Sequence, residues 1–285
     1  MSDFREKLSE VCTTKIVKYA FGITTGIFTF APESFFKMCQ LIPGASETVD
    51  IIVGRFTLAL VIFLMVLIKK LWNLETQRFT IINGTNYSVK ILYGNIFDVK
   101  KGKKIIPFDE CFTVNVGDKP ENINPSSVCG QYIQKYSLNK SIMDELIKKS
   151  HLQKLSTGSM YHNMNRYESG KLVVNGDYLL MAFAKLDGSG KGYLSYNDYL
   201  KCLTVLWDEI DKYYGGEDVY IPILGSGVTR MDGSDDMTSQ ELLEIIITSY
   251  KLAPHKIHLP QQLKIICKKE SGISLAKIDN QYNFK

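Results

Sequence analysis

The chain has 285 residues, with 34 Lys and Arg against 30 Asp and Glu, a formal net charge of +4. That modest balance, with no basic cluster interleaved with aromatics, speaks against a nucleic-acid partner. Six cysteines (Cys12, Cys39, Cys111, Cys129, Cys202, Cys267) without a CxxC pair speak against a zinc site and a disulfide scaffold, and fit a reducing compartment.

Met1 to Thr14 carries both charge signs and no small-x-small site follows it, so no cleaved signal peptide is expected. Tyr19 to Pro32 is an uncharged stretch flanked by Lys15 and Lys18 on one side and by Glu33 and Lys37 on the other. Snorkelling lysines would lengthen it over Ile16 and Val17. It is either the first arm of a helical hairpin turning through Pro43-Gly44, or an interfacial or re-entrant helix. Val49 to Ile68 is a stronger segment, carrying only Asp50 and Arg55 before Lys69 and Lys70 stop it, with Trp72 at interfacial depth. About 20 mostly apolar residues cross a bilayer core as a helix. The expected organisation is an N-terminal two-helix transmembrane hairpin over 1–75, with spans near 16–32 and 49–68, and a soluble domain over 76–285. Basic residues (Arg5, Lys7, Lys15, Lys18, then Lys69, Lys70, Arg78) lie outside the connecting loop. The positive-inside rule then puts both ends and the soluble domain in the cytoplasm.

From Phe79 the pattern alternates between short β-branched runs and amphipathic stretches. Strands are expected at Phe79–Ile82, Val89–Tyr93, Lys104–Pro107, Cys111–Val116, Leu172–Val174, Tyr178–Lys185, Val219–Leu224 and Gln262–Cys267. Helices are expected at Val128–Ser150, interrupted near Ser137–Asn139, at Tyr196–Tyr214 with Ser195 as N-cap and Gly215-Gly216 as stop, and at Ser239–Leu252. This is an α/β domain with a mixed sheet covered by helices on both faces. Ligands of such sheets sit beyond the carboxyl ends of strands. Gly94-Asn95 and Gly225-Ser226-Gly227 both fall there. Lys100 to Lys104 reads as a solvated turn or an approach to lipid headgroups.

Val219 to Arg230, VYIPILGSGVTR, is the most informative run. A buried strand ending in glycines leaves bare amides that suit a phosphate, although an ordinary strand-to-loop turn has the same look. Asp187 to Asp198 has EF-hand length, but Lys191 and Asp198 occupy positions that calcium needs otherwise, so it reads as a glycine-rich connection into the following helix. His151, His162, His255 and His258 form no catalytic constellation, and no catalytic residue, metal or cofactor is expected.

Gly94-Asn95-Ile96, SSVCGQYI and YIPILGSGV, in that order, resemble a divergent macro domain. With the apolar segments in front, the chain is similar over essentially its full length to the membrane-anchored macro-domain ThsA effectors of type II Thoeris antiphage defence. The resemblance implies that Asn95, standing where the family has Asp, meets the adenine, with Asp98 as a substitute. It implies a first loop of Ser126, Ser127, Val128, Cys129 and Gly130 around the pyrophosphate and distal part, without the family's glycine triplet. It implies a second phosphate loop of Gly225, Ser226, Gly227 and Val228, with Arg230 as an added cation. The implied ligand is an ADP-ribose derivative, a histidine-ADP-ribose conjugate, made by a TIR-domain partner. The implied output is disruption of the prokaryotic inner membrane by a homo-oligomer, with a tetramer as the guess. A membrane-anchored ADP-ribosyl hydrolase and a ligand-free membrane scaffold are the alternatives.

Overall fold

The computed structural model describes residues 14–32, 46–227, 230–232 and 237–283. The chain divides into two units, Met1–Gln77 and Arg78–Lys285.

Among its described residues the first unit has two helices, α1 (Thr14–Phe30) and α2 (Glu47–Thr76). They pack on one another, burying Ala20 of α1 and Ile62 of α2. Within α2, Thr48–Lys69 is long and apolar enough to cross a membrane, and little of it is buried by protein. Phe56, Leu60, Leu64, Met65 and Ile68 are all exposed. At 1.5 Å per residue these 22 residues reach about 33 Å, matching a hydrocarbon core of about 30 Å. The 17 residues of α1 reach only about 26 Å. The expected hairpin is thus carried at full span length by its second arm alone among the described residues. Its turn at Pro43-Gly44 lies outside them. The hydroxyls of Thr24 and Thr29 donate to the carbonyls of Ala20 and Thr25, both at 2.8 Å, which hides these polar groups within the helix.

The second unit contains, among the described residues, nine strands. They are β1 (Phe79–Asn83), β2 (Ser88–Tyr93), β3 (Lys103–Asp109), β4 (Leu172–Asn175), β5 (Tyr178–Leu186), β6 (Gly192–Ser195), β7 (Val219–Pro222), β8 (Arg230–Asp232) and β9 (Leu263–Cys267). The helices are α3 (Val128–Lys135), α4 (Lys140–Lys149), α5 (Tyr196–Tyr213), α6 (Ser239–Leu252) and α7 (Leu275–Tyr282). The sheet order is β1-β2-β9-β7-β3-β5-β6-β8, with β4 on β5. Its centre, β2-β9-β7-β3-β5, is parallel throughout; β1, β4 and β6 pair antiparallel.

Side chains alternate across this sheet with period two. Ile105, Leu179, Met181, Ile221 and Ile265 face one core with α5, α6 and α7. Ile106, Phe108, Leu180, Ala182 and Ile266 face a second core with α3 and α4. Burial on both faces is why the central strands read as continuous apolar runs. The helices start where small polar residues cap them. Ser195 accepts from the Asp198 amide, and Thr238 and Glu241 form a reciprocal capping box. At the sheet edge, α7 lies against β1. Asn283 Nδ2 donates to the Ile81 carbonyl at 2.8 Å, and the Thr80 hydroxyl donates to Asp279 at 2.8 Å.

Several expected elements change. Cys111–Val116 is not a strand. The Asp109 carboxylate takes the amides of Cys111 (2.8 Å) and Thr113 (3.2 Å) and the Thr113 hydroxyl, and Phe112 turns left-handed at φ 50°. Only a bridge between Val116 and Ile123 remains of the pairing. The strand from Val219 ends at Pro222, two residues early. Asp187–Asp198 is not a simple connection: Asp187 Oδ1 accepts from the Ser189 and Lys191 amides and closes a hairpin between β5 and β6. The basic run is not a solvated turn to its end, because Lys103 and Lys104 begin β3 and Lys104 is buried. The strands β6 and β8 and the helix α7 were not expected from the sequence pattern.

Candidate functional site

Because β2, β9, β7 and β3 are parallel neighbours, the segments that follow β2, β7 and β3 emerge at one edge of the sheet. All the described candidate residues except Arg230 lie on these segments. The segment after β2 is short. Asn95 Oδ1 accepts from the Phe97 amide at 3.1 Å and caps a 3-10 turn, Ile96–Asp98, which buried Ile96 anchors and which runs beside β7. The oxygen expected to meet a base amino group therefore already holds one backbone bond, with a second lone pair remaining. Asn95 and Asp98 are both exposed.

The segment after β3 reaches α3 through a loop held by its own polar side chains. Asn124 Oδ1 accepts from the Ser126 amide (2.8 Å) and hydroxyl (2.7 Å). The Ser127 hydroxyl donates to the Asn124 carbonyl (2.7 Å) and accepts from the Gly130 amide (3.0 Å), capping α3. Both hydroxyls are thus engaged within the loop. Val128 and Cys129 supply the first two amides of α3, at the positive end of its dipole. Burial pushes the Cys129 thiol well above its usual range, which favours the neutral form. Gly130 is buried, and a Cβ there would sit 2.2 Å from the Asn124 carbonyl oxygen. Its smallness lets the loop close on the helix.

The segment after β7 turns at once. The Tyr199 hydroxyl donates to the Leu224 carbonyl and the Ser226 hydroxyl to the Ile223 carbonyl, at 3.0 and 2.9 Å. Gly225 has φ 83°, a left-handed conformation that glycine takes without strain. Gly227 is exposed with open space where a Cβ would be. Val228 lies outside the described residues. Arg230 opens β8, opposite Tyr193.

Sequence reasoning missed Asp109, which ends β3 and folds the loop by the bonds given above. Burial pushes its carboxyl up, against the bonds from Thr113 and Cys111 that favour the anion. The only signal was an acid closing an apolar strand. Also missed was the buried Glu110, which accepts from the Leu186 amide at 3.3 Å and pairs with Arg166 at 3.4 Å, fastening the loop before β4 to the end of β5. His162 packs on Tyr161 at 4.1 Å in that loop; His255 lies 3.3 Å from Asp211, and His258 3.1 Å from Asn86. An apolar groove of about 600 Å³ lies between α5 and α6, lined by Leu200, Trp207 and Ile245. It includes none of the candidate residues.

The sequence family described as Thoeris protein ThsA, Macro domain, matches residues 89–268. Thoeris protein ThsA of Bacillus amyloliquefaciens (strain Y2) is 31% identical over 192 residues, covering 65% of this chain. The match spans 63% of that relative's length, less than two thirds. Among solved structures, a mutant Oceanobacillus iheyensis macrodomain with ADPR aligns at a TM-score of 0.45 and 11% identity, over 72% of this chain and 98% of that one. The same macrodomain with ADP aligns at 0.44 and 11%, over 72% and 96%.

Proposed function

This chain belongs to the Thoeris ThsA macro-domain family, and from that premise we propose that it is a membrane-anchored sensor-effector of antiphage defence. Its macro domain binds an ADP-ribose derivative, a histidine-ADP-ribose conjugate, produced by a TIR-domain partner. Binding drives the apolar N-terminal helices, in a homo-oligomer, to disrupt the inner membrane from a cytoplasmic ligand domain. The ligand is held and not turned over.

The observation that carries this reading is the convergence of three segments at one sheet edge: the Asn95 turn, the α3 start and the Gly225 turn. A helix start and a glycine turn at the carboxyl ends of parallel strands suit a diphosphate, and the exposed amide of Asn95 suits a base. The helix Thr48–Lys69, long and apolar enough to cross a membrane, supports a lipid target. Two membrane helices are too few to enclose a pore alone, so the output calls for several copies.

The test is calorimetry on the full chain in detergent with ADP-ribose and histidine-ADP-ribose, followed by chromatography of the ligand and dye release from loaded vesicles. Saturable binding with intact ligand and dye release supports the sensor-effector. Turnover would make the chain an ADP-ribosyl hydrolase. No binding of either compound would leave a scaffold.

A further inference from the structure

The strands β1 and β2 are antiparallel, so the residue that opens β1 lies beside the end of β2: Phe79 is opposite Leu92. One step earlier, the Tyr93 amide donates to the Arg78 carbonyl at 3.1 Å. Gly94 and Asn95 follow Tyr93 directly. The Tyr93 hydroxyl also donates to the Ile273 carbonyl at 2.6 Å, and the Gly94 amide to the Cys267 carbonyl at 3.0 Å. On the other side, α2 ends at Thr76. Gln77 alone separates that helix from a residue already bonded into the sheet.

We infer that the Arg78–Tyr93 rung is the coupling element that carries occupancy of the Gly94–Asp98 turn to the apolar helix α2. The inference rests on the ligand reading given above. A ligand that engages Asn95 or Asp98 restrains a turn whose first residue is one peptide from Tyr93. Tyr93 in turn holds the last residue before the strand that leads back to α2. Entry of the chain at the other end of β2 would have placed about 20 Å of strand between the turn and the helix. A single intervening residue leaves little slack to absorb a displacement, whereas a flexible linker of several residues would absorb it. The ligand drives the helix by the difference in its affinity for the two arrangements of this joint.

The chain has two tryptophans, and Trp72 lies near the end of α2, 70% exposed. Full-length protein in nanodiscs of brominated lipid is titrated with ADP-ribose. Trp72 emission is isolated as the difference from a Trp72→Phe variant. A shift in Trp72 quenching on ADP-ribose binding is expected. A five-residue Gly-Gly-Ser-Gly-Gly insertion between Gln77 and Arg78 should abolish that shift while calorimetric affinity is kept or rises, because the ligand no longer works against the helix. A shift that survives the insertion, or a wild type that binds without a shift, overturns the coupling. Loss of affinity on insertion also overturns it, because the joint would then belong to the site. Absence of binding of both ADP-ribose and histidine-ADP-ribose by the wild type defeats the ligand reading itself, and the coupling falls with it.

Discussion

The Tyr199 hydroxyl reaches 3.0 Å to the carbonyl of Leu224, binding the first turn of α5 to the turn that presents Gly225. Both residues are fully buried, and burial pushes the Tyr199 phenol far up, so it remains a donor across the working pH range. Tyr199→Phe strands a buried carbonyl, a cost of about 1–3 kcal/mol. A lower urea midpoint and weaker ADP-ribose binding are expected. An unchanged midpoint would show that another donor replaces the phenol.

Two glycines of the same turn should separate fold from binding. Gly225→Ala forces a side chain to φ 83° and should cost about 1–2 kcal/mol of stability. Gly227→Leu meets open space and should leave the melting curve unchanged. Its bulk stands where a phosphate would approach, so affinity should drop more than about tenfold. Full affinity in a folded Gly227→Leu protein would remove this residue from the site.

Gly130→Ala tests the first loop. Its Cβ would press on the Asn124 carbonyl, and the neighbour is backbone, which cannot step aside as a side chain end can. A loss of about 1–3 kcal/mol is expected, together with faster amide exchange in the α3 start. Stability and exchange equal to wild type would mean that the loop re-forms freely.

The pH dependence has opposing parts. Glu209 is buried, and although burial opposes it, Lys212 (2.7 Å) and Lys171 (3.1 Å) hold its carboxyl below the unfolded value of 4.5. Its stabilisation is present above 4.5 and is lost as the pH falls through the lower folded value. Asp109 and Glu110 act in the other sense. Burial raises their folded values, so each loses stability as the pH climbs from the unfolded value through the raised folded one. Glu209→Gln should therefore destabilise most near neutrality and least near pH 3. Urea midpoints of both proteins across that range check it; a constant difference would contradict the assignment.

Membrane output and ligand binding should also come apart. Deleting Met1 to Lys70 should keep ADP-ribose affinity, because every candidate contact follows Gly94. The deletion should abolish dye release from vesicles. Leu64→Asp should act alike, since a mid-span charge costs about 2.5–3.5 kcal/mol on insertion scales. Dye release by the truncated chain would defeat the membrane reading.

The sequence was most legible where one signal had no rival. Ser239–Leu252 has an N-cap, an acid at the third helical position and apolar periodicity, and it folds as read. The Ser195 cap and the Gly215-Gly216 stop are equally local. Cys111–Val116 misled because its alternation of apolar and polar residues is a genuine strand pattern. What overrides it is a single carboxylate, Asp109, that captures the amides a strand would need. The short strands β6 and β8 were invisible because three or four residues carry too little periodicity, and their pairing is made by chain segments far apart. At the candidate site, the glycines announced themselves by type. Their division of labour did not: Gly225 for conformation, Gly130 for packing and Gly227 for openness depend on neighbours that only the fold supplies.

The lid that α7 forms over β1 limits how copies can join. An uncovered edge strand invites a second chain to continue the sheet, and repetition of that contact yields filaments. Here one rung of the edge is already taken by Asn283, and Asp279 holds Thr80 beside it. Growth by strand addition at β1 would first have to peel α7 away. The covering helix α7 thus opposes continuation of the sheet by strand addition at β1.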